Sequence, residues 1–305
     1  MILKTLVVGL GKIGMMYNYT SKKNKFSNHC DIFSNTKGFK LVAGADPLKS
    51  KRDLFKKKFN QPVFKSLDDA NMKSKPDIIV ISASTAKVDR IYKRIIFLKI
   101  KPKAFILEKP GAYKTEVLNY FFKYCKKNRI NIFMNYTRIF SKKLKIFTSY
   151  LKKDKIGNIN KIEIFYSKGL FNSCSHYINF LSLFFKFKNI KNIKVKKILK
   201  KNGDFFGNFS IRLNFIINFI LNKKKEDERI NIIGSKGYIE YLTEKNKIIF
   251  FSKKKKFLIK NDFINDQKNM IDFVKNNFNS RIKCYKIFDQ SIKTLTIINK
   301  ICRKF

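Results

Sequence analysis

The sequence predicts an α/β chain in two parts. Residues 1–136 read as a doubly wound parallel sheet, and residues 137–305 as an α+β domain with a mostly antiparallel, open sheet. Three observations carry that prediction. The 305 residues exceed an ordinary single domain. Short apolar runs alternate with amphipathic stretches as far as about Tyr136, which is the rhythm of strand–helix–strand units. Beyond that point apolar runs follow one another with only polar breaks between them, as antiparallel strands do.

Thr5–Gly9 reads as a buried strand and Phe39–Ala43 as a second. A helix follows Pro47, with Leu54, Phe55 and Phe59 on one side. Asp77–Ser82 is a third strand. Val88, Ile91, Tyr92, Ile95 and Ile96 then recur at helical spacing. Ala104–Leu107 is the next strand, and Val117, Leu118, Phe121, Phe122 and Cys125 repeat the helical pattern. Asn131–Tyr136 closes the series. In the second part Lys161–Ser167 reads as a strand and Ser175–Phe185 as a strongly apolar helix. Ile193–Leu199, Asn208–Ile220, Arg229–Ile233, Tyr238–Leu242 and Lys247–Phe251 read as strands. Two helices are expected near Asp266–Asn276 and Lys286–Lys300.

Composition narrows the function classes. The formal net charge is +47, from 68 basic and 21 acidic side chains. Nucleic-acid binders concentrate such charge on one face, whereas here the lysines run from Lys4 to Lys304 through every predicted element. The excess travels with 32 Phe, abundant Ile and Asn and no Trp, a pattern that A- and T-rich codons produce. No specific nucleic-acid partner is expected, although so cationic a surface favours anionic ligands. The five cysteines form no C-x-x-C pair and fit a reducing cytoplasm. His29–Cys30 is the only adjacent pair of zinc-ligand type, too few for a metal site, so no metal is expected. No apolar run approaches the roughly 18 residues of a membrane span, and no membrane partner is expected.

Three motifs carry chemistry. Gly9-Leu10-Gly11-Lys12-Ile13-Gly14 follows the first strand as a G-x-G-x-x-G, which marks a Rossmann dinucleotide site. The first glycine allows the tight turn, the second lets backbone approach a pyrophosphate, and the third permits close packing. Asp46, at the end of the second strand, either accepts from ribose hydroxyls, which favours NAD over NADP, or caps the helix after Pro47. Lys49, Lys51 and Arg52 lie close enough in sequence to meet a 2′-phosphate, so NADP stays open. Glu108-Lys109-Pro110 directly follows a buried strand, where a lysine can exchange protons with a ligand at the strand ends. Gly9, Gly11, Lys12, Ile13, Gly14, Asp46, Ser82 and Glu108 are the expected cofactor contacts.

This order of motifs resembles the Gfo/Idh/MocA oxidoreductase family. The second half adds to the likeness. Asn172-Ser173-Cys174-Ser175-His176-Tyr177-Ile178-Asn179 is similar to the family's D-x-G-x-H-x-x-D segment, and Gly234-Ser235-Lys236-Gly237 to its G-T-x-G turn. Asn135-Tyr136-Thr137-Arg138 resembles the segment where its two domains meet. The long first loop with His29, and Tyr166-Ser167-Lys168-Gly169, resemble a subset linked with surface-polysaccharide sugars. The resemblance implies hydride transfer between nicotinamide and a hydroxyl-bearing carbon of a sugar, cyclitol or nucleotide sugar. Lys109 and His176 would handle the proton, and Tyr136, Arg138, Lys168 and Asn172 would bind substrate. It also implies a homodimer or homotetramer formed through the open sheet. Asn172, Cys174 and Asn179 depart from the family's pattern. They leave a second expectation, a catalytically impaired NAD(P)-binding regulator or subunit of the same fold.

Overall fold

The computed structural model describes residues 2–17, 28–141, 144–152, 155–185, 187, 190–201, 203–222, 224–243, 247–252, 255–260 and 266–304. The chain forms two compact units. One comprises Met1–Thr137 and Ile264–Ile292, the other Arg138–Phe263 and Lys293–Phe305.

In the first unit, β1 (Leu3–Val8), α1 (His29–Asn35), β2 (Phe39–Ala45), α2 (Lys49–Phe59), β3 (Val63–Phe64), α3 (Leu67–Ser74), β4 (Ile78–Ile81), α4 (Thr85–Phe97), β5 (Ala104–Leu107), α5 (Thr115–Lys127) and β6 (Asn131–Met134) follow in order. The strands pair in parallel in the order β3-β2-β1-β4-β5-β6. Every residue of β4, β5 and β6 is buried. Both faces of such a sheet are covered, so these strands are continuous apolar runs rather than alternating ones. The helical spacing also resolves as expected. Val88, Tyr92 and Ile95 of α4 and Leu118, Phe121, Phe122 and Cys125 of α5 are buried, and Tyr92 stacks on Phe121 with centroids 4.1 Å apart.

Two features depart from the sequence expectation. The glycine motif opens onto a single π-helical turn, Lys12–Met16, and α1 begins only at His29. Residues 18–27 of the long first loop fall outside the described residues. The short β3 and α3 carry too few apolar residues to show a periodicity, but Ser66 caps α3 by accepting from the Asp69 N–H at 3.2 Å.

In the second unit come α6 (Leu144–Lys152), β7 (Ile159–Tyr166), a π-helical turn at Gly169–Cys174, α7 (Ser175–Leu181), β8 (Asn192–Lys201), β9 (Asp204–Arg212), β10 (Ile216–Leu221), β11 (Arg229–Gly234), β12 (Gly237–Leu242), β13 (Lys247–Ser252) and β14 (Lys255–Lys260). Among the described residues the strands form one sheet in the order β14-β13-β12-β11-β7-β10-β9-β8. All pairs are antiparallel except β7 with β10. The apolar run Asn208–Ile220, expected as one strand, is a hairpin. The chain reverses at Leu213–Phe215, where Leu213 N–H donates to Phe215 O at 2.9 Å, and Phe209 and Phe219 stack across the pair. The apolar helix starts at Ser175 as expected, directly after the π-helical turn, but stops at Leu181 rather than Phe185.

The chain ends in α8 (Asp266–Asn276) and α9 (Arg281–Cys302). A single cut after residue 136 assigns both to the second part, yet α8 and residues 281–292 of α9 belong to the first unit. Aromatic packing holds them there: Phe133 meets Phe273, and Phe122 meets Phe288. Asn131 Nδ2 also donates to the Phe278 carbonyl.

Candidate functional site

In a sheet of order 3-2-1-4-5-6, strand order reverses between β1 and β4, and ligands bind beyond the strand ends at that point. The glycine motif lies there. Gly9 has φ +94°, a conformation that side chains disfavour, and a Cβ on it would press on the Ala83 backbone. A Cβ on Gly14 would overlap the Gly9 carbonyl oxygen. Gly11 differs, since the nearest heavy atom to its missing Cβ is Lys51 Nζ at 3.9 Å. Two of the glycines thus serve the loop's own packing, and the middle one leaves open space against the backbone, which is where an anion needs it. Lys12 is exposed and Ile13 half-buried on the turn that follows.

Two side chains from neighbouring strands hold this loop. Ser82, just past β4, lies 2.7 Å from Gly9 O and 3.1 Å from Val8 O. Asp46, just past β2, accepts from Leu10 N–H at 2.8 Å through Oδ2 and from Leu48 N–H at 3.0 Å through Oδ1. Asp46 therefore ties the glycine loop to the start of α2, and each oxygen keeps a lone pair for a ligand hydroxyl. Lys51 Nζ is 3.7 Å from Oδ2. Arg52 spends Nη1 on the Asp46 and Pro47 carbonyls, so Lys51 is the better placed of the two for a phosphate.

The ends of β5 and β6 carry a third group. Glu108 Oε1 lies 2.7 Å from His29 Nε2 and 2.6 Å from Asn135 Nδ2. Burial alone would raise the Glu108 carboxyl. The hydrogen bond and charge of His29, then Asn135 and Lys109, outweigh it and hold the group below its ordinary range. Lys109 is half-buried next to it, and the Lys109–Pro110 peptide is cis. His29 and Asn135 were not among the expected contacts. His29 enters the sequence reading through the long first loop and through its pairing with Cys30; its Nε2 is engaged by Glu108, and burial raises the Cys30 thiol. No group of three or more metal-ligating side chains occurs among the described residues.

The second unit gathers another set at the end of β7. Arg138 lies over the Tyr177 ring, 4.5 Å from its centroid, with Nη2 3.6 Å from Glu228 Oε2. Glu228 also accepts from Ser167 N–H and Oγ–H (3.0 and 2.6 Å), Ser173 Oγ–H (2.7 Å) and Tyr177 O–H (2.8 Å). Burial would raise its carboxyl, but Ser167, Ser173 and Arg138 hold it low. Asp204, at the start of β9, accepts from Phe171 N–H at 2.9 Å and Asn172 N–H at 3.2 Å. These two carboxylates fix the π-helical turn that carries Asn172 and leads to His176. Lys168 and Asn172 are exposed and His176 half-buried, whereas Tyr136, in the first unit, is 1% exposed. Asn179 is buried and donates to Thr294 Oγ1 at 3.0 Å.

The structure thus groups Gly9, Gly11, Gly14, Ser82 and Asp46 at one strand end of the first unit and seats Glu108 and Lys109 at another. In the second unit it sets Asn172 on the Gly169–Cys174 turn, Lys168 just before that turn, His176 in α7 just after it, and Arg138 inside the Glu228 network. Sequence reasoning missed Glu228 and Asp204. The available signal was their rarity, two carboxylates flanking strands in a chain with 68 basic residues.

Residues 3–136 match the model of a family described as oxidoreductase family, NAD-binding Rossmann fold. No curated protein matches the chain in sequence. Solved structures match in fold. KijD10, a 3-ketoreductase from Actinomadura kijaniata in complex with TDP-benzene and NADP, is 10% identical with a TM-score of 0.78, over 98% of this chain and 96% of that one. The WlbA dehydrogenase from Bordetella pertussis, in complex with NADH and UDP-GlcNAcA, is 14% identical with a TM-score of 0.73, over 99% and 96%. An oxidoreductase from Agrobacterium radiobacter, in complex with NAD+, L-tartaric acid and magnesium, is 11% identical with a TM-score of 0.74, over 98% and 95%.

Proposed function

We propose that this chain, whose residues 3–136 match the Gfo/Idh/MocA oxidoreductase family model, transfers a hydride between NAD(P) and a hydroxyl-bearing carbon of a sugar, cyclitol or nucleotide sugar. The observation that carries the reading is the glycine loop at the reversal point of a 3-2-1-4-5-6 sheet, with Glu108 and Lys109 at adjacent strand ends. The chain fits a dinucleotide. Gly11 leaves room against the backbone, and Asp46 retains acceptor capacity for ribose hydroxyls. That carboxylate favours NAD over NADP, and Lys51 is the residue through which NADP would be accommodated.

The nicotinamide, when bound, gives or takes the hydride. The chain's own part is to hold the reactants and move the proton. Lys109 is the proposed donor or acceptor at the substrate hydroxyl oxygen, with His176 as its partner in proton handling. Exposed Lys168, just before the Gly169–Cys174 turn, and exposed Asn172 on it are proposed to bind the substrate. Arg138, whose Nη1 is buried with no partner among the described residues, orders that segment through Glu228. Structures with this fold hold TDP- or UDP-linked ligands, which supports nucleotide sugars as the first substrates to try, and surface-polysaccharide metabolism as their setting.

A second reading is supported by Asn179. Its side chain is spent on Thr294 inside the unit and it carries no charge. A catalytically impaired NAD(P)-binding regulator would have that feature. Titration with NADH and NADPH at physiological salt, followed by a hydride-exchange screen of nucleotide sugars, separates the readings. Saturable binding with turnover supports the enzyme, and binding with none across the screen supports the regulator. Failure to bind either nucleotide removes both.

The open face of the second unit's sheet is the proposed surface for a homodimer or homotetramer. There Arg229 covers Phe165 at 3.8 Å, and Tyr238, 38% exposed, stacks on Phe251 at 4.0 Å. A monomer by light scattering would exclude it. Five cysteines without a disulfide fit the cytoplasm as the place of action. Cell fractionation decides that.

A further inference from the structure

The His29–Glu108 contact has features that dinucleotide binding alone does not require. His29 is fully buried, and it is the first residue of α1. Asn28 pins that helix start, donating to Tyr17 O at 2.9 Å and accepting from Asp31 N–H at 2.9 Å, and Lys58 pairs with Asp31 at 2.8 Å. Phe33 lies nearly parallel to the imidazole with centroids 6.4 Å apart. The ring is therefore held on several sides. A carboxylate oxygen only accepts, so the 2.7 Å contact to Glu108 Oε1 makes Nε2 the donor. Asn135 Nδ2 donates to the same oxygen. Among the described residues no donor reaches Glu108 Oε2, and His29 Nδ1 and Asn135 Oδ1 are buried without partners.

We propose that His29 is a positioning residue for the dinucleotide: by engaging Oε1 it orients Glu108 and reserves Oε2 for a neutral donor of the cofactor, a ribose hydroxyl or an amide N–H. The inference rests on the dinucleotide reading above. Its physical content is a division of labour within one carboxylate. Two fixed donors saturate one oxygen, and the other keeps its lone pairs at the strand ends beside Lys109. The titratable or charged groups acting on Glu108 are His29 and Lys109, and Asn135 is a neutral donor. Removing the imidazole leaves burial as the largest influence, and burial raises a carboxyl. A Glu108 carboxyl raised in this way takes up a proton more readily as pH falls, and is then a poorer acceptor.

The test is NADH fluorescence titration of the full chain from about pH 6 to pH 8, comparing the parent with His29→Leu and His29→Gln. Parent affinity is expected to be flat with pH. His29→Leu should bind about tenfold more weakly at the acid end and recover towards the alkaline end. His29→Gln, which can still donate to Oε1, should restore the flat profile. A uniform loss at every pH, or no loss, in His29→Leu overturns the proposal, because a purely structural histidine predicts the former and an idle one the latter. Should His29→Leu fail to fold, the ring itself is readable. His29 and His176 are the only histidines, so in His176→Gln the remaining imidazole nitrogen signals belong to His29. A proton on Nε2 whose resonance shifts as NADH saturates supports the proposal; a proton on Nδ1, or no shift, sinks it. If the parent binds neither NADH nor NADPH, the dinucleotide reading falls and takes this inference with it. Parent binding with an indifferent His29→Leu removes the inference alone.

Discussion

Two carboxylates at strand ends, half-buried Glu108 in the first unit and buried Glu228 in the second, are held below their ordinary pKa by different means. Glu228 draws donors to both oxygens: Ser167 twice, Ser173, Tyr177 and the Arg138 guanidinium. Glu108 draws two donors to one oxygen and none among the described residues to the other. A carboxylate offers about four lone pairs, so Glu228 is saturated and Glu108 is half used. A saturated buried acid is a fastening, since every direction in which it could bind is already taken. A half-used one at the end of a parallel strand is open to a ligand. On the proposed function, the difference gives rigidity to one region and ligand binding to the other.

The largest expected effect tests the chemical side. Lys109→Ala should lower turnover by about 10²–10⁴-fold on any substrate the screen finds, with NADH affinity and melting temperature kept. Turnover equal to the parent's would take Lys109 out of the mechanism. Next comes the fastening. Glu228→Ala should cost roughly 3–5 kcal/mol in urea unfolding, because it leaves the Arg138 charge and three hydroxyls without their acceptor. Glu108→Ala should lose NADH affinity and cost less stability, about 1–3 kcal/mol for the His29 and Asn135 donors it strands. Equal stability losses in the two variants would erase the distinction drawn between them.

The glycines sharpen it further. Gly14→Ala forces a Cβ against the Gly9 carbonyl and should destabilise the unit by about 1–3 kcal/mol. Gly11→Ala meets no protein atom closer than Lys51 Nζ at 3.9 Å, so its melting temperature should hold while NADH binding weakens. Calorimetry beside a binding titration reads both. The smallest effect is on acid stability. The folded-state pKa of Glu228 is depressed, so its contribution is present above its unfolded value of about 4.3 and is lost as pH falls through the lower folded value. Stability should decline below about pH 4.5, and Glu228→Gln should flatten part of that decline.

The first unit was more legible in the sequence than the second, for a physical reason. Parallel strands buried on both faces are unbroken apolar runs, and Asp77–Ser82 and Ala104–Leu107 coincide closely with β4 and β5. In the second unit apolar residues also populate the half-exposed face, so period-2 alternation is blurred, and Asn208–Ile220 read as one strand where β9 and β10 turn at Asn214. The Gly169–Cys174 turn has no simple apolar period and was invisible. At the site, glycine spacing and strand ends pointed to Gly9, Gly11, Gly14, Asp46 and Lys109, because their chemistry is local in sequence. The partners that orient them were not legible. His29 meets Glu108 across 79 residues and Glu228 meets Ser167 across 61, and such contacts are set by topology rather than by spacing.

The return of the chain's end to the first unit bears on how the protein can be divided. A fragment stopping at Thr137 would contain every strand of the parallel sheet and the whole glycine loop. It would nevertheless strip Phe122 and Phe133 of the rings that α8 and α9 lay against them, and Asn131 of its acceptor. Such a truncation should express as an aggregating product, while one in which residues 264–292 are rejoined to 1–137 by a flexible tether should remain in solution and take up NADH. The genetic unit of nucleotide binding is in this sense discontinuous: a premature stop 40 residues from the end would damage the half of the protein encoded first.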